Sequence, residues 1–145
     1  MSLIQATAIP TAATDFDIPY SCKFDGSSSY LSFDLPSNSN RKIWTFSCWL
    51  KRSNIGQHVL LMATSNSGYS RIETDGDSLW LIQYNANTSS YEMMLRSTAV
   101  FRDLGGWYHV VVAYDSAQGT DTNRVKMYVN GTQINTVPLS WQQQW

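Results

Sequence analysis

The chain has 145 residues, a length that predicts one domain. Charged residues make up 14% of it and the formal net charge is −1, so the sequence shows no electrostatic footprint for nucleic acid. No apolar run reaches the roughly 18 residues that a membrane helix needs. The first residues also lack the basic start and unbroken apolar core of a signal peptide. We therefore expect neither a nucleic-acid partner, nor membrane insertion, nor an export signal.

Residues 1–19 contain Pro10 and Pro19 and show no clean periodicity. We interpret them as an extended arm, and a disordered terminus is the alternative. From Tyr20 onward, short strand-like segments alternate with turn-rich stretches. The predicted strands are residues 20–25, 29–34, 43–52, 57–64, 69–74, 78–85, 91–97, 107–115, 124–130 and 132–137. Ten short strands without an amphipathic helix predict an all-β, two-sheet antiparallel sandwich or jelly roll over residues 20–145.

Period-two alternation predicts which side chains enter the core. Six side chains are expected to be buried: Trp44, Phe46, Cys48, Leu50, Val110 and Val112. Ser47 and Lys51 fall on the opposite face and are expected to be more exposed. Asp75-Gly76 and Asn130-Gly131 are the best hairpin signals, because both central residues of a type I′ turn need positive φ.

The chain has two cysteines, Cys22 and Cys48. Alternation places Cys22 on the face of Tyr20 and Phe24, and Cys48 on the face of Phe46 and Leu50, so both are expected to point into the core. Two reduced thiols acting as small apolar groups are the favoured interpretation. A disulfide between them is the alternative. It is less favoured because two cysteines alone do not make a disulfide framework.

Three groups of segments resemble a known family in order and spacing. These are Lys23–Gly26 with Ser29–Phe33, then Trp44–Arg52, then Trp107–Asp115 followed by Val125–Gly131. Together they resemble the laminin-G-like, concanavalin-A-like jelly roll. Trp44–Ser53, Phe101–His109 and the loop Ser116–Asn123 most closely resemble the variant found in tail-fibre and other virion proteins of bacteriophages. The resemblance covers residues 20–136. Family members normally continue with further strands after the Asn-Gly hairpin, so we expect a sandwich that is incomplete at its C-terminus or is completed by a neighbour.

The resemblance implies a non-enzymatic structural or adhesion module of a phage virion: a tail fibre, head fibre or decoration subunit. Such a subunit would be assembled in the host cytoplasm. Its expected partners are other virion subunits, further copies of itself and a cell-surface glycan. Trp141 and Trp145 are hard to bury within so short a tail and are the expected partner contacts. The alternative function is a free-standing carbohydrate-binding module or lectin.

Glycoside hydrolases also use this fold, and one group carries three carboxylates on a strand as E-x-D-x-x-E. Here Glu73 and Asp75 match the first two positions, but Ser78 occupies the third. Retaining hydrolysis needs two carboxylates about 5–5.5 Å apart. We therefore assign no catalytic residue and expect no enzyme activity.

Aromatic side chains are the expected carbohydrate-binding residues, because the faces of sugar rings are apolar. The candidates are Tyr69, Trp80, Tyr84 and Tyr91. The alternative is that these rings fill the core, as most aromatics in a sandwich do. For His58 and His109, packing or hydrogen bonding is favoured over catalysis.

No cofactor is expected, with calcium left open by the resemblance, since many laminin-G-like domains hold one Ca²⁺ at a rim. Calcium takes six to eight oxygen ligands. The candidates are Asp75, Asp77, Asp115 and Asp121. A hairpin turn explains Asp75-Gly76-Asp77 equally well and is favoured.

Overall fold

The computed structural model describes residues 20–34 and 40–141. The chain divides into two units between Phe33 and Asp34. In the first unit, the described residues are exposed and form no strand. The carboxylate of Asp25 instead accepts hydrogen bonds from the Ser28 hydroxyl and from the backbone N–H groups of Ser27, Ser28 and Ser29. The bond from the hydroxyl, followed by the backbone bonds, holds the pKa of Asp25 below its usual value.

The two strands predicted at residues 20–25 and 29–34 are therefore wrong for the described structure. An alternating pattern becomes a strand only where a neighbouring strand supplies a hydrogen-bond ladder, and the Asp25 loop provides none. Cys22 is exposed, so its predicted place in the core is also wrong. Residues 1–19, interpreted above as an arm, lie outside the described part of the chain.

The described residues of the second unit form nine strands in two antiparallel sheets. Their bounds are β1 (Ile43–Leu50), β2 (His58–Ser65), β3 (Gly68–Asp75), β4 (Ser78–Asn85), β5 (Ser90–Ser97), β6 (Tyr108–Asp115), β7 (Val125–Val129), β8 (Thr132–Ile134) and β9 (Thr136–Trp141). One sheet has the order β1-β6-β7-β8 and the other β2-β3-β4-β5-β9. A 3-10 turn at Asp121–Asn123 is the sole helical element among the described residues. The predicted all-β sandwich of two antiparallel sheets is confirmed.

The hydrophobic core lies between the two sheets. The five-stranded sheet contributes Ile72, Leu79, Leu81, Met93 and Leu95, and the four-stranded sheet contributes Val110, Val112, Tyr114, Val125, Met127 and Val129. Alternate residues of each strand enter this layer, as the pleat of a strand requires. The side chains between them point to the outer faces of the sandwich.

The predicted faces of β1 and β6 are confirmed, but β1 is less deeply buried than expected. Val110 and Val112 are buried, whereas Trp44, Phe46, Cys48 and Leu50 are half-buried against the core. Ser47 and Lys51 are exposed, as predicted. The reason for the difference is strand order: β1 forms one edge of the described four-stranded sheet, so one side of each inward side chain lacks a neighbour.

Turn geometry confirms one hairpin prediction and shifts the other by a residue. Asn130 and Gly131 both have positive φ, at 50° and 78°, and they form the whole loop between β7 and β8, as a type I′ turn requires. The loop between β3 and β4 is Gly76 and Asp77 rather than Asp75 and Gly76. In that loop only Gly76 has positive φ, at 56°, so the type I′ assignment is wrong there.

The predicted strand at residues 132–137 is divided between the two sheets. β8 pairs with β7 in one sheet, and β9 pairs with β5 in the other. Between them, the carbonyl oxygen of Asn135 accepts a hydrogen bond from the backbone N–H of Thr98 at 2.9 Å. This bond ties the crossing point to the end of β5. A periodic pattern cannot report such a change of sheet, because both halves keep an extended backbone.

Candidate functional site

The side of the five-stranded sheet that faces away from the core carries three cross-strand rows of side chains. The sequence-predicted aromatic residues lie in the first and third of these rows. Register places Tyr69, Tyr84 and Tyr91 in one row, Arg71, Ile82 and Met94 in the next, and Glu73, Trp80 and Arg96 in the third. A register shift between Gln83 and Tyr84 brings Tyr91 opposite Tyr84. We call these nine residues the outer face. Their strand neighbours Ile72, Leu81 and Leu95 point into the core, so the outer face is directed away from it.

The first row is a cluster of three tyrosines in mutual contact. The Tyr69 and Tyr84 rings are stacked with their centroids 5.2 Å apart, and the Tyr84 and Tyr91 rings meet edge to face at 5.2 Å. Both separations fall in the range preferred by aromatic pairs. Tyr91 is exposed, while Tyr69 and Tyr84 are half-buried. The cluster is therefore partly buried, and its Tyr91 ring is accessible to solvent.

Arg71 connects the tyrosine cluster to the middle of the outer face. Its guanidinium carbon lies 5.2 Å from the centroid of the Tyr69 ring, within cation–π range. Burial raises the pKa of the Tyr69 hydroxyl, and the nearby Arg71 charge opposes that rise. Tyr69 therefore stays a neutral hydrogen-bonding group at physiological pH.

Glu73 is a carboxylate buried within the outer face, at 1% exposure. One of its oxygens lies 3.2 Å from Nη2 of Arg71, and the other accepts a hydrogen bond from Nε2 of Gln57 at 3.1 Å. Burial raises the pKa of Glu73, and the Arg71 charge opposes this effect. Asp75, the next carboxylate on the same face of β3, is exposed at the strand end. Glu73 is the sole buried carboxylate among the residues that the structure describes.

Trp80 occupies the third row beside Glu73. Its indole N–H donates to the carbonyl oxygen of Asp75 at 3.4 Å, and the guanidinium carbon of Arg96 lies 5.7 Å from the ring centroid. Trp80 is half-buried and Arg96 is exposed. Ile82, between Trp80 and Tyr84 along β4, is buried. These three β4 residues share one face, and it is the outer face rather than the one that packs into the core.

Arg52, which sequence reasoning missed, holds together the loops beside Trp80. The side chain is 4% exposed. It donates to the carbonyl oxygens of Gly76 at 2.6 Å, Phe101 at 2.7 Å and Gly56 at 3.3 Å. Burial lowers its pKa. The sequence contains a signal for this role, because Arg52 continues the inward alternation of Cys48 and Leu50. A cation at an inward position must be hydrogen-bonded to specific acceptors.

The same loops are also joined at the surface. Arg102 forms an ion pair with Asp77 at 2.6 Å, which lowers the pKa of Asp77. The backbone N–H of Phe101 donates to the carbonyl oxygen of Asp77 at 2.7 Å. The β3–β4 turn is thereby fixed to the segment before β6, at the end of the outer face where Trp80 lies.

The four aspartates suggested for calcium are held by protein groups or exposed. Asp77 pairs with Arg102, and Asp121 lies 2.9 Å from Nη1 of Arg124. Asp115 accepts hydrogen bonds from the backbone N–H of Ala117 and from Nε2 of Gln118. Within residues 20–34 and 40–141, no three His, Cys, Asp or Glu side chains are grouped as metal ligands would be. Calcium binding stays a prediction that this geometry does not favour.

The remaining predicted residues make ordinary structural contacts. Cys22 and Cys48 are both free, but only Cys48 is partly buried, so the interpretation as small apolar groups holds for Cys48 alone. Burial raises the pKa of Cys48. His58 hydrogen-bonds Asn54 at 2.7 Å. His109 hydrogen-bonds Ser47 and stacks on Trp49. Trp141 lies opposite Met93 in the β5–β9 register, and Trp145 falls outside the described residues, so their partner contacts stay predictions.

With this geometry established, comparison with known proteins identifies the family. The laminin-G-type model of the concanavalin A-like lectin/glucanases superfamily matches residues 25–145. The chain belongs to this superfamily. Membership fits a carbohydrate-binding or adhesion module, and laminin-G-like domains are in general non-catalytic. No curated protein and no solved structure gives a significant match. Among the described residues, no helix is long and apolar enough to cross a membrane.

Proposed function

We propose that this laminin-G-like domain is a non-catalytic adhesion module that binds surface carbohydrate through the outer face of its five-stranded sheet. The observation that carries the proposal is the tyrosine cluster. Tyr69, Tyr84 and Tyr91 come from three strands, touch one another and leave the Tyr91 ring exposed. Rings anchored in this way present an apolar surface at low entropic cost. The apolar face of a sugar can stack there while its hydroxyl groups stay hydrated.

The outer face supplies hydrogen-bonding groups beside its rings. The buried Glu73 fixes the guanidinium of Arg71 and the side-chain amide of Gln57, and the three tyrosines lie two rows away. Binding sites for small molecules combine apolar walls with a few such fixed polar groups. A retaining hydrolase would need a second carboxylate about 5–5.5 Å from the first. Glu73 stands as a single buried carboxylate in the described chain, which favours binding over hydrolysis.

We further propose that the module belongs to a phage virion, as a tail-fibre, head-fibre or decoration subunit. Support comes from the motifs that resemble virion proteins, at Trp44–Ser53 and Phe101–His109. β2 supports assembly as well, since it is an edge of the five-stranded sheet and exposes Val59, Leu61 and Met62. Uncharged edge strands of this kind tend to pair with another chain. A free-standing lectin is the second candidate, and it predicts a monomer that binds sugar without assembling.

Glycan binding and assembly are tested separately. The full chain is screened on an array of neutral and acidic oligosaccharides, and the best ligand is titrated by calorimetry. Tyr91→Ala should weaken binding about tenfold, which corresponds to about 1.4 kcal/mol. The matched control is Tyr128→Ala, on the outer side of the other sheet opposite Val111, and it should bind like the wild type.

Absence of any glycan ligand, or equal losses in the two tyrosine variants, would refute binding at the outer face. Multi-angle light scattering on the same samples reports assembly. Oligomers favour the virion subunit, and a stable monomer at high concentration favours the free-standing lectin.

A further inference from the structure

Arg96 is a cation of the outer face that forms no ion pair with a described carboxylate, although Asp75 also lies on this face at the end of β3. Arg71 and Arg96 contribute two positive charges, and the single carboxylate among the nine residues is Glu73. Glu73 is already bound to Arg71 and Gln57. The guanidinium of Arg96 contacts the Trp80 ring, and no carboxylate of the described residues forms an ion pair with it. Within residues 20–34 and 40–141, the outer face therefore has one cation without an ion-pair partner, at its Trp80 end.

Arg96 is also positioned to receive a ligand. Its guanidinium lies over the half-buried Trp80 ring, which limits the side-chain freedom that binding would otherwise remove. A cation–π contact of this kind uses the charge of the guanidinium and leaves its N–H groups available to other acceptors. Those groups match the two oxygens of a carboxylate or sulfate and form paired, charge-assisted hydrogen bonds with it. The chemistry offered at Arg96 is thus recognition of an anionic substituent.

The tyrosine cluster lies at the other end of the same face. Trp80 and Tyr84 are four residues apart on β4, a separation of about 13 Å at about 3.3 Å per residue. That length exceeds a single sugar ring and suits a short linear oligosaccharide. One sugar ring would stack at Tyr91 while an anionic group further along the chain reaches Arg96.

We propose that the outer face selects acidic saccharides, with Arg96 binding the carboxylate or sulfate of the sugar and Trp80 holding Arg96 in place. This inference rests on the proposed carbohydrate binding and names its ligand class. Arg96 is the specificity-determining residue, while the tyrosine cluster supplies affinity for acidic and neutral sugars alike. Because the charge pair is exposed to solvent, the preference for acidic sugar should weaken as salt is added.

The test compares ligands that differ in charge alone. A tetramer of galacturonic acid and its methyl ester have the same backbone, and a sulfated tetrasaccharide tests the second kind of anion. Wild type should bind the acid at least tenfold more tightly than the ester at low salt. Arg96→Gln should abolish that ratio by weakening binding of the acid far more than binding of the ester. Arg96→Lys should restore part of it, because an ammonium keeps the charge but loses the paired geometry.

Two controls separate this inference from the broader proposal. Lys126→Gln removes one charge from the outer side of the four-stranded sheet, opposite Ala113, and should leave the ratio intact. Melting temperatures of the variants confirm folding. Equal binding of acid and ester by wild type, or equal losses for both ligands in Arg96→Gln, overturns the inference while the proposed carbohydrate binding stands. Failure of all saccharides to bind overturns both.

Discussion

Replacing Arg52 by methionine should destabilise the domain strongly, because its guanidinium serves three backbone carbonyls at once. The two short bonds, to Gly76 at 2.6 Å and Phe101 at 2.7 Å, join segments 24 and 49 residues away in sequence. Hydrogen bonds from a charged donor contribute about 1.5–3 kcal/mol each, and a buried acceptor left unpaired adds a cost of its own. Methionine carries no charge, so the variant also avoids the desolvation cost of the buried guanidinium, and this offsets part of the loss.

The net expectation for Arg52→Met is a loss of about 3 kcal/mol in the free energy of unfolding. For a domain of this size, such a loss lowers the melting temperature by about 6–12 °C. Urea denaturation followed by tryptophan fluorescence measures the first quantity, and calorimetry measures the second. The matched control is Arg102→Met in the same loop cluster. Arg102 is exposed and forms a surface ion pair with Asp77, so its loss should cost no more than about 1 kcal/mol.

A loss below about 0.5 kcal/mol for Arg52→Met, within the range of ordinary surface substitutions, would refute this reasoning. It would mean that the carbonyls of Gly76 and Phe101 find water when the guanidinium is removed. An equal loss in the two arginine variants would also contradict it, because burial would then make no difference.

Two further predictions concern the outer face. Burial raises the pKa of Glu73 in the folded state above its ordinary value of 4.5. The folded protein therefore gains stability from protonation of Glu73. This gain is complete below pH 4.5 and is lost as pH rises through the folded-state pKa. Wild type should therefore lose stability relative to Glu73→Gln as pH increases from 4 to 8 in urea titrations, and a difference that is constant or moves the other way would contradict burial as the dominant cause. Gly68→Ala should be destabilising and should also weaken saccharide binding, because Gly68 has φ of 143° and an added Cβ would collide with the backbone carbonyl oxygen of Tyr84. Thermal melts and calorimetric titration check it, and unchanged affinity in a folded variant would show that the tyrosine cluster tolerates the shift.

The sequence determined where most strands of the second unit lie and, for β1 and β6, which face each side chain takes. Alternation along β1 and β6 placed Phe46 and Val112 inward and Ser47 outward. Asn130-Gly131 specified its hairpin, since adjacent residues alone set the positive φ values that the turn needs. These properties are local: the pleat and the turn depend on a residue and its nearest neighbours in the chain.

Tertiary structure decided everything that depends on which strands become neighbours. It made β1 an edge, leaving Phe46 half-buried, and it moved the segment after Asn135 into the other sheet. It also gave Arg52 its distant carbonyl acceptors and brought Tyr69 and Tyr91 together across β4. The physical reason is that a period of two fixes the direction of a side chain but carries no information about strand order. Pairing between distant segments is chosen by the fold as a whole, and the outer face exists only once that choice is made.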